Sequence, residues 1–394
     1  MRLPPSYALR SLAARPARAL LSAGVIALVI MAATLLLGLM SSLQRTLVSS
    51  GDPLNLVVLR KGSDNDGSSQ LSREAYQSIH YLDGIARDPQ GRPLISPQLV
   101  VQPFVYRIGG GRENVLVRGL DETALAVHPR VRITRGRMFR PSSGEVVVGK
   151  ALVGRYEGAQ LGGTLRFGRG RWRVVGILEA GGSSFESEIW ADASELARDA
   201  RRPMPYSGVR VRVASEAALA PLAARIAADP RFALEAKRET DYYADQAKSS
   251  DTLFVLVVAI AVLAGLGAGF GAANTLYASV ASRIAEIGTL RALGFPRGSI
   301  LASFELEALL LGLAGFALGA PLSLAAAAGL GSALRGIAFG ASTFTSNVVA
   351  LRIAPRDLAV ALGLALAIGL LSGLGPAWRA AKLRPVDALR RAGE

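Results

Sequence analysis

The stretch VASRIAEIGTLRALGFP, residues 280–296, lies between two long apolar runs and is itself too polar to sit in lipid. Val280, Ile284, Ile287 and Leu290 recur at the spacing of one helical face, while Arg283, Glu286 and Thr289 fall on other faces. Gly294 suits a left-handed cap, Leu290 can reach Phe295 across it, and Pro296 cannot continue the helix. The pattern predicts a short amphipathic helix of about three turns, held between two membrane spans. Such a helix is either a connector on the membrane surface or a docking element that receives force from a partner.

Working outward, residues 252–279 form an uncharged apolar run long enough to cross a bilayer. Gly265, Gly267, Gly269 and Gly271 occupy alternate positions in it, so Gly265 pairs with Gly269 and Gly267 with Gly271 in the small-residue spacing that lets helices approach closely. Tyr242 and Tyr243 precede the run and are expected at headgroup level. After the opening stretch (280–298), residues 299–334 read as a third span with its lead-in, with Gly315 and Gly319 again spaced for helix packing. Glu307 stands at its boundary, and a solvated interfacial position is expected because burying a carboxylate there is costly. Residues 335–356 form a connecting loop, and residues 357–378 a fourth span with Gly369 and Gly373. At the other end, residues 19–43 are apolar and uncharged, preceded by the weakly amphipathic residues 1–18 with Arg2, Arg10, Arg15 and Arg18 and no acid. The run is too long for a secretory signal and no cleavage site follows it, so it reads as an uncleaved anchor.

Between the first two spans lies a hydrophilic segment, residues 44–251. Short β segments at 54–59, 99–107, 113–120, 145–148, 164–167, 172–178, 209–213 and 232–236 alternate with helices at 72–85, capped by Ser72, and at 216–228. The segment is α+β, with a β-rich middle. The fold class is therefore a membrane protein of four transmembrane α-helices, with a large α+β extracytoplasmic domain between helices 1 and 2. Within it GEVVVGK, residues 144–150, matches the opening of a phosphate-binding loop. Ala151 stands where that loop needs a hydroxyl, and Val146, Val147 and Val148 favour a strand, so no nucleotide site is expected.

Composition narrows the function. The chain has 394 residues, is 51% hydrophobic and has no cysteine, which excludes disulfides and thiolate metal sites. His80 and His128 lack ligand-spaced neighbours, so no metal site is expected. The net charge of +15 is scattered along the sequence without a basic–aromatic stripe, which argues against nucleic acid. Much of it marks topology instead. The N-terminus, the 280–305 stretch with Arg283, Arg291 and Arg297, and the basic tail 379–394 all fall on one side of a four-span chain, which the charge rule makes cytoplasmic.

RIAEIGTLRALGFPRGSI (283–300), FELEALLLGLAGFALG (304–319) and GPAWRAAKLRPVDALR (375–390) together resemble the FtsX-like permease family of ABC transporters, in its MacB-like and lipoprotein-releasing branches. The resemblance implies a permease that is not itself catalytic. It works as a dimer, homodimeric or paired with a related chain, alongside a cytoplasmic ABC ATPase that holds ATP and Mg. The short segment 1–18 implies that this ATPase is a separate chain. Movement driven by ATP would pass to the outer domain, whose inserted lobe is expected at about residues 121–205. The resemblance implies efflux or lipid and lipoprotein handling in a bacterial inner membrane, with a periplasmic adaptor or carrier and membrane lipid as further partners. The alternative is a regulator that activates an envelope hydrolase. It also implies that Arg283, Glu286, Gly288, Arg291 and Gly294 meet the ATPase, and that Glu307 is the family's acidic residue at the start of the third span.

Overall fold

The computed structural model describes residues 4–14, 16–248, 251–334, 337–340, 346–349 and 351–383. Helix α1 (Pro5–Ala13) leads into α2 (Pro16–Val48). There follow β1 (Asn55–Arg60), α3 (Arg73–His80), β2 (Ile95–Val101), β3 (Phe104–Tyr106), β4 (Arg112–Asn114) and β5 (Leu116–Leu120). The middle contains α4 (Ala124–Val127), β6 (Arg132–Gly136), β7 (Glu145–Gly149), β8 (Thr164–Phe167), β9 (Gly170–Glu179), β10 (Glu188–Asp192) and α5 (Ala193–Asp199). The segment closes with β11 (Gly208–Arg212), α6 (Leu219–Ala227), β12 (Leu234–Arg238) and α7 (Glu239–Lys248). The remainder is α8 (Asp251–Ala281), α9 (Ile284–Ala292), α10 (Arg297–Leu334), β13 (Ile337–Gly340), β14 (Ser346–Val349) and α11 (Pro355–Lys382). The chain divides into two units, one made of Met1–Ser41, Leu253–Gly329 and Leu351–Glu394, the other of Ser42–Thr252 and Leu330–Ala350.

In the helical unit, α2, α8, α10 and α11 are each long and apolar enough to cross a bilayer. Lipid gives no hydrophobic drive for helices to associate, so close contact through small residues has to supply it. Gly315 and Gly319 put the α10 backbone against α2, where an added Cβ would lie 2.4 Å from Ile26 and 2.6 Å from the Ala27 carbonyl oxygen. Gly369 and Gly373 do the same for α11 against Ala308 of α10, and Gly312 of α10 meets the Ala365 carbonyl one turn further along. Gly265 faces Ile368 and Leu364 of α11, whereas nothing lies within 4 Å of a Cβ built at Gly267, Gly269 or Gly271.

The second unit is built on a ten-stranded sheet in the order β12-β1-β11-β2-β5-β10-β7-β9-β6, with β8 also on β9. The pairs β5–β10 and β7–β9 are parallel and the others antiparallel. Both faces of the central strands are covered. Leu56 and Val58 of β1 enter one apolar cluster and Val57 and Leu59 another, and Val146 and Val148 of β7 part from Val147 in the same way. Strands buried on both faces read as unbroken apolar runs. The outer strand β8 shows the alternation of a half-exposed strand instead, with Leu165 and Phe167 buried between exposed Thr164 and Arg166.

The structure departs from the sequence reading in several places. The helix expected over 72–85 ends at His80, because Gly84 takes a left-handed φ of 96° in the turn that follows, although Ser72 does cap it by accepting from the Ala75 N–H at 3.2 Å. The 335–356 connection is not a plain loop: β13 and β14 pair antiparallel, and Ser187 Oγ accepts from the Val348 N–H at 3.0 Å. The loop-like GEVVVGK segment is the buried strand β7, and three separate structural demands produce its pattern. Gly144 takes φ of 64°, a Cβ at Gly149 would lie 2.1 Å from the Glu186 carbonyl oxygen, and Lys150 pairs with Glu179 and Glu186. Gly149→Ala is therefore expected to destabilise this unit by about 1–3 kcal/mol through overpacking, read as a lower unfolding temperature of the full chain in detergent. A variant as stable as the parent would contradict the close approach.

Candidate functional site

The opening stretch folds around a break. Helix α8 continues through Ala281, and Arg283 sits in a non-helical conformation before α9 begins at Ile284. The first apolar residue of the expected helix, Val280, therefore belongs to α8. At the far end Gly294 takes φ of 90°, the Phe295 N–H donates to the Leu290 carbonyl at 3.2 Å, and Arg291 Nη1 donates to the Phe295 carbonyl at 2.9 Å. Ile287 and Gly288 are buried, and Ile287 packs with Val280, Ile300, Phe304, Ala377 and Ala380. The inner face of α9 is thus seated on the start of α10 and the end of α11.

Arg283 occupies the break and gathers the neighbouring elements. Its guanidinium lies 4.9 Å from the Tyr7 ring of α1 and 5.4 Å from the Phe304 ring of α10. It donates to Glu286 at 2.9 Å, to Ser11 Oγ at 2.5 Å and to Glu307 at 3.3 Å. Ser11 Oγ in turn donates to Glu307 at 3.0 Å, and the Tyr7 hydroxyl donates to Glu286 at 2.5 Å. Burial, reinforced by the bond to Glu286, pushes the Tyr7 hydroxyl up to about 12, so it remains a donor. Tyr7 and Ser11 lie four residues apart on α1, which is one face of a helix. The expectation of a solvated Glu307 is overturned: it is buried, at 4% exposure, because Arg283 and Ser11 supply its partners.

The sequence-derived coupling residues therefore separate. Arg283 turns inward, Gly288 is buried, Glu286 and Arg291 are engaged within the unit, and Gly294 ends the helix. What α9 and its cap leave exposed is Ala285, Glu286, Thr289, Ala292 and Leu293, the last at 66%. The contributions of Tyr7 and Ser11 were not legible, since nothing in residues 1–18 indicates what a tyrosine and a serine one turn apart will meet. Replacing Arg283 with Met strands Glu307 in a buried site and is expected to cost about 3 kcal/mol. R283M/E307Q should recover part of that loss in detergent thermal melts. Strictly additive losses would show that the two side chains are not coupled.

A second polar centre lies in the sheet unit, where the chain enters and leaves it. Glu239, the first residue of α7, is fully buried and accepts from the Asp52 N–H and from Asn55 Nδ2, both at 3.0 Å. Gly51 makes this approach possible, since a Cβ there would lie 2.8 Å from Thr240 Cα. Beneath it, buried Arg210 reaches Glu239 at 3.3 Å and grips Asp66 with both terminal nitrogens, at 3.0 and 2.7 Å. Arg118 holds Glu188 through two bonds of 2.7 and 2.6 Å and donates to Gln98, which bonds His128. Tyr242 and Tyr243 are not at headgroup level: both are buried in this unit, and the Tyr242 hydroxyl donates to Asp66 at 3.0 Å.

The charges make the unit acid-sensitive in two steps. Burial alone would raise the Asp66 carboxyl, but Arg210 and Arg118 outweigh it and hold it at about 2. Burial, aided by Arg210 and Arg118, pushes His128 well below its ordinary 6.5. A histidine depressed on folding contributes stability that is lost as pH falls below its unfolded value. The unit should therefore lose about 1 kcal/mol per pH unit below about 6.5, followed by the Asp66 contribution between about pH 4 and 2. Unfolding midpoints across pH check this, and His128→Gln should remove the first phase. A first phase that persists in H128Q would assign it elsewhere.

Comparison with known proteins places this architecture. Residues 19–229 match the model of the MacB-like periplasmic core domain, and residues 258–385 match the FtsX-like permease C-terminal model. The chain is 32% identical over 306 residues to a Paracoccus denitrificans protein named macrolide export ATP-binding/permease protein MacB 1/2, covering 72% of this chain and 43% of that one. It is 25% identical over 341 residues to the macrolide export ATP-binding/permease protein MacB of Rhodopseudomonas palustris, covering 79% of this chain and 47% of that one. This chain thus spans less than half the length of either relative. The crystal structure of the periplasmic region of MacB from Actinobacillus actinomycetemcomitans aligns with 49% of this chain and 91% of that one, at 14% identity and a TM-score of 0.37. Four apolar helices with a sheet-rich domain between the first and second define a multi-pass permease. The chain belongs to the FtsX-like, MacB-like family of ABC transporter permeases.

Proposed function

We propose that this chain is the force-transmitting permease subunit of an ABC transporter. It would carry the movement of a separate cytoplasmic ATPase, which holds the ATP and Mg, to a domain outside a bacterial inner membrane. Both termini and α9 would lie in the cytoplasm, in keeping with the arginines of these segments. The observation that carries the reading is the Arg283 centre. It binds α1, α9 and α10 into one platform, so a push on α9 reaches the span helices without being absorbed in a loose joint. Export is the favoured task, on the names of the relatives, with lipid or lipoprotein handling as a variant of it and a periplasmic adaptor or carrier as an outer partner.

The geometry also refines the docking surface. With Arg283 turned inward, the surface offered to the ATPase would be the small and apolar run ending at Leu293, beside the half-exposed Glu286 that Arg283 engages. The permease would act as a dimer with a second copy on α8, the least covered span, whose Gly267 and Gly271 are open and flanked by exposed Leu263 and Phe270.

Two experiments test this. In proteoliposomes with the cognate ATPase, Leu293→Glu should lower permease-stimulated ATP hydrolysis about tenfold, the equivalent of about 1.4 kcal/mol. Normal stimulation in L293E would remove α9 from the coupling. The chain has no cysteine, so single-cysteine variants along α8 report dimer contacts directly. Disulfide cross-linking should peak at Gly267 and Gly271 and fall at Gly265, which faces α11. Equal cross-linking around the helix would exclude this interface.

A further inference from the structure

Folding assembles in the sheet unit a basic and aromatic groove that is scattered in the sequence. One wall is the β3–β4 hairpin, where Phe104 and Tyr106 are 52% and 53% exposed and Arg112 lies 4.6 Å from the Phe104 ring. The other wall is β8 with its turn into β9, which supplies Arg166, Arg169 and Arg171. Together they enclose about 1020 Å³. Glu157 is the one carboxylate among the lining residues, and nearby Asp199 accepts from the Arg169 backbone N–H at 3.0 Å.

The arginines are placed against their own electrostatic interest. Arg166 stands directly opposite Arg171 in the antiparallel register, and Thr164 is opposite a further arginine, Arg173. All three arginines are exposed, on the face opposite buried Leu165, Phe167 and Trp172. Like charges in facing positions destabilise a strand pair. Among the described residues, none of the side chains of Arg166, Arg169, Arg171 and Arg173 has an ion-pair partner. Packing does not demand arginine at these positions, because the apolar anchoring comes from the buried face.

We propose that this groove docks an acidic, aromatic-containing segment of a partner protein. Carboxylates would occupy the fork-shaped donors of Arg166 and Arg171, and an apolar side chain would settle against Phe104 and Tyr106. Exposed Tyr, Phe and Arg together are the composition of a protein interface core. The arginines line a concave slot, which admits a chain but does not admit the flat surface of a bilayer. The groove would take this ligand whether or not α9 meets an ATPase, so the two readings fail separately.

The probe is a fluorescein-labelled peptide of alternating Glu and Phe, titrated by anisotropy against the full chain in neutral-lipid nanodiscs. Binding should be lost on replacing Glu by Lys in the peptide, weaken with added salt, and fall about tenfold or more in R166E/R171E. Phe104→Ala should weaken it independently. Arg166→Gln alone should leave the unfolding temperature unchanged or raise it, because it relieves the facing charges. The inference is overturned if the peptide binds R166E/R171E as well as the parent. It is equally overturned if phosphatidylglycerol vesicles bind the parent through these arginines while the peptide does not, or if R166Q lowers the unfolding temperature, which would make the pair structural.

Discussion

The arrangement of the helical unit depends on one largely enclosed cation. Arg283 has two carboxylates and a serine hydroxyl as hydrogen-bond partners and two aromatic rings close by, those of Tyr7 and Phe304. A guanidinium can do this because its donors are fixed in a plane and its faces stack on rings, which a lysine cannot reproduce. An ion pair such as the one Arg283 makes with buried Glu307 adds little net stability over an apolar equivalent, yet is costly to break from one side. Its consequence here is geometric. The break between α8 and α9 sits among fixed partners on α1 and α10, so α9 keeps one orientation and presents one face.

The sheet unit has a matching constraint at its own entrance and exit. The chain runs from α2 through Gly51 and Asp52 into β1, and returns from β12 through Glu239 into α7. Glu239 bonds both the arriving backbone and the side chain of Asn55, while Arg210 fixes it from within the sheet. The start and the end of the segment are therefore held to each other within this unit.

Much of this architecture was legible in the sequence. The spans follow from uncharged apolar length, the end of α9 from Gly294 and Pro296, and many of the strands from β-branched runs between glycines. The rest depended on contacts that only folding creates. Glu307 looked interfacial because its partners lie on α1 and at the break, both remote in sequence. Tyr242 and Tyr243 looked like membrane anchors by proximity to α8, but α7 turns them onto Asp66 and the sheet. β10 was missed because EIWAD carries acids at both ends, and these belong to the buried Arg118 pairing and to the cap of α5. The basic groove was invisible for the same reason: its two walls are about sixty residues apart in the chain.

The proposed role requires that α1, α9 and α10 move as one piece when a partner ATPase acts. The most direct measurement is a pair of spin labels at Arg10 and Thr289, introduced as cysteines into this cysteine-free chain and followed by pulsed dipolar spectroscopy with the cognate ATPase. The distance within one copy should stay unchanged between the nucleotide-free and ATP-trapped states, while the Thr289-to-Thr289 distance between the copies of the proposed dimer changes. A change in the Arg10–Thr289 distance as large as the one between copies would mean that the joint at Arg283 yields, and would contradict the account.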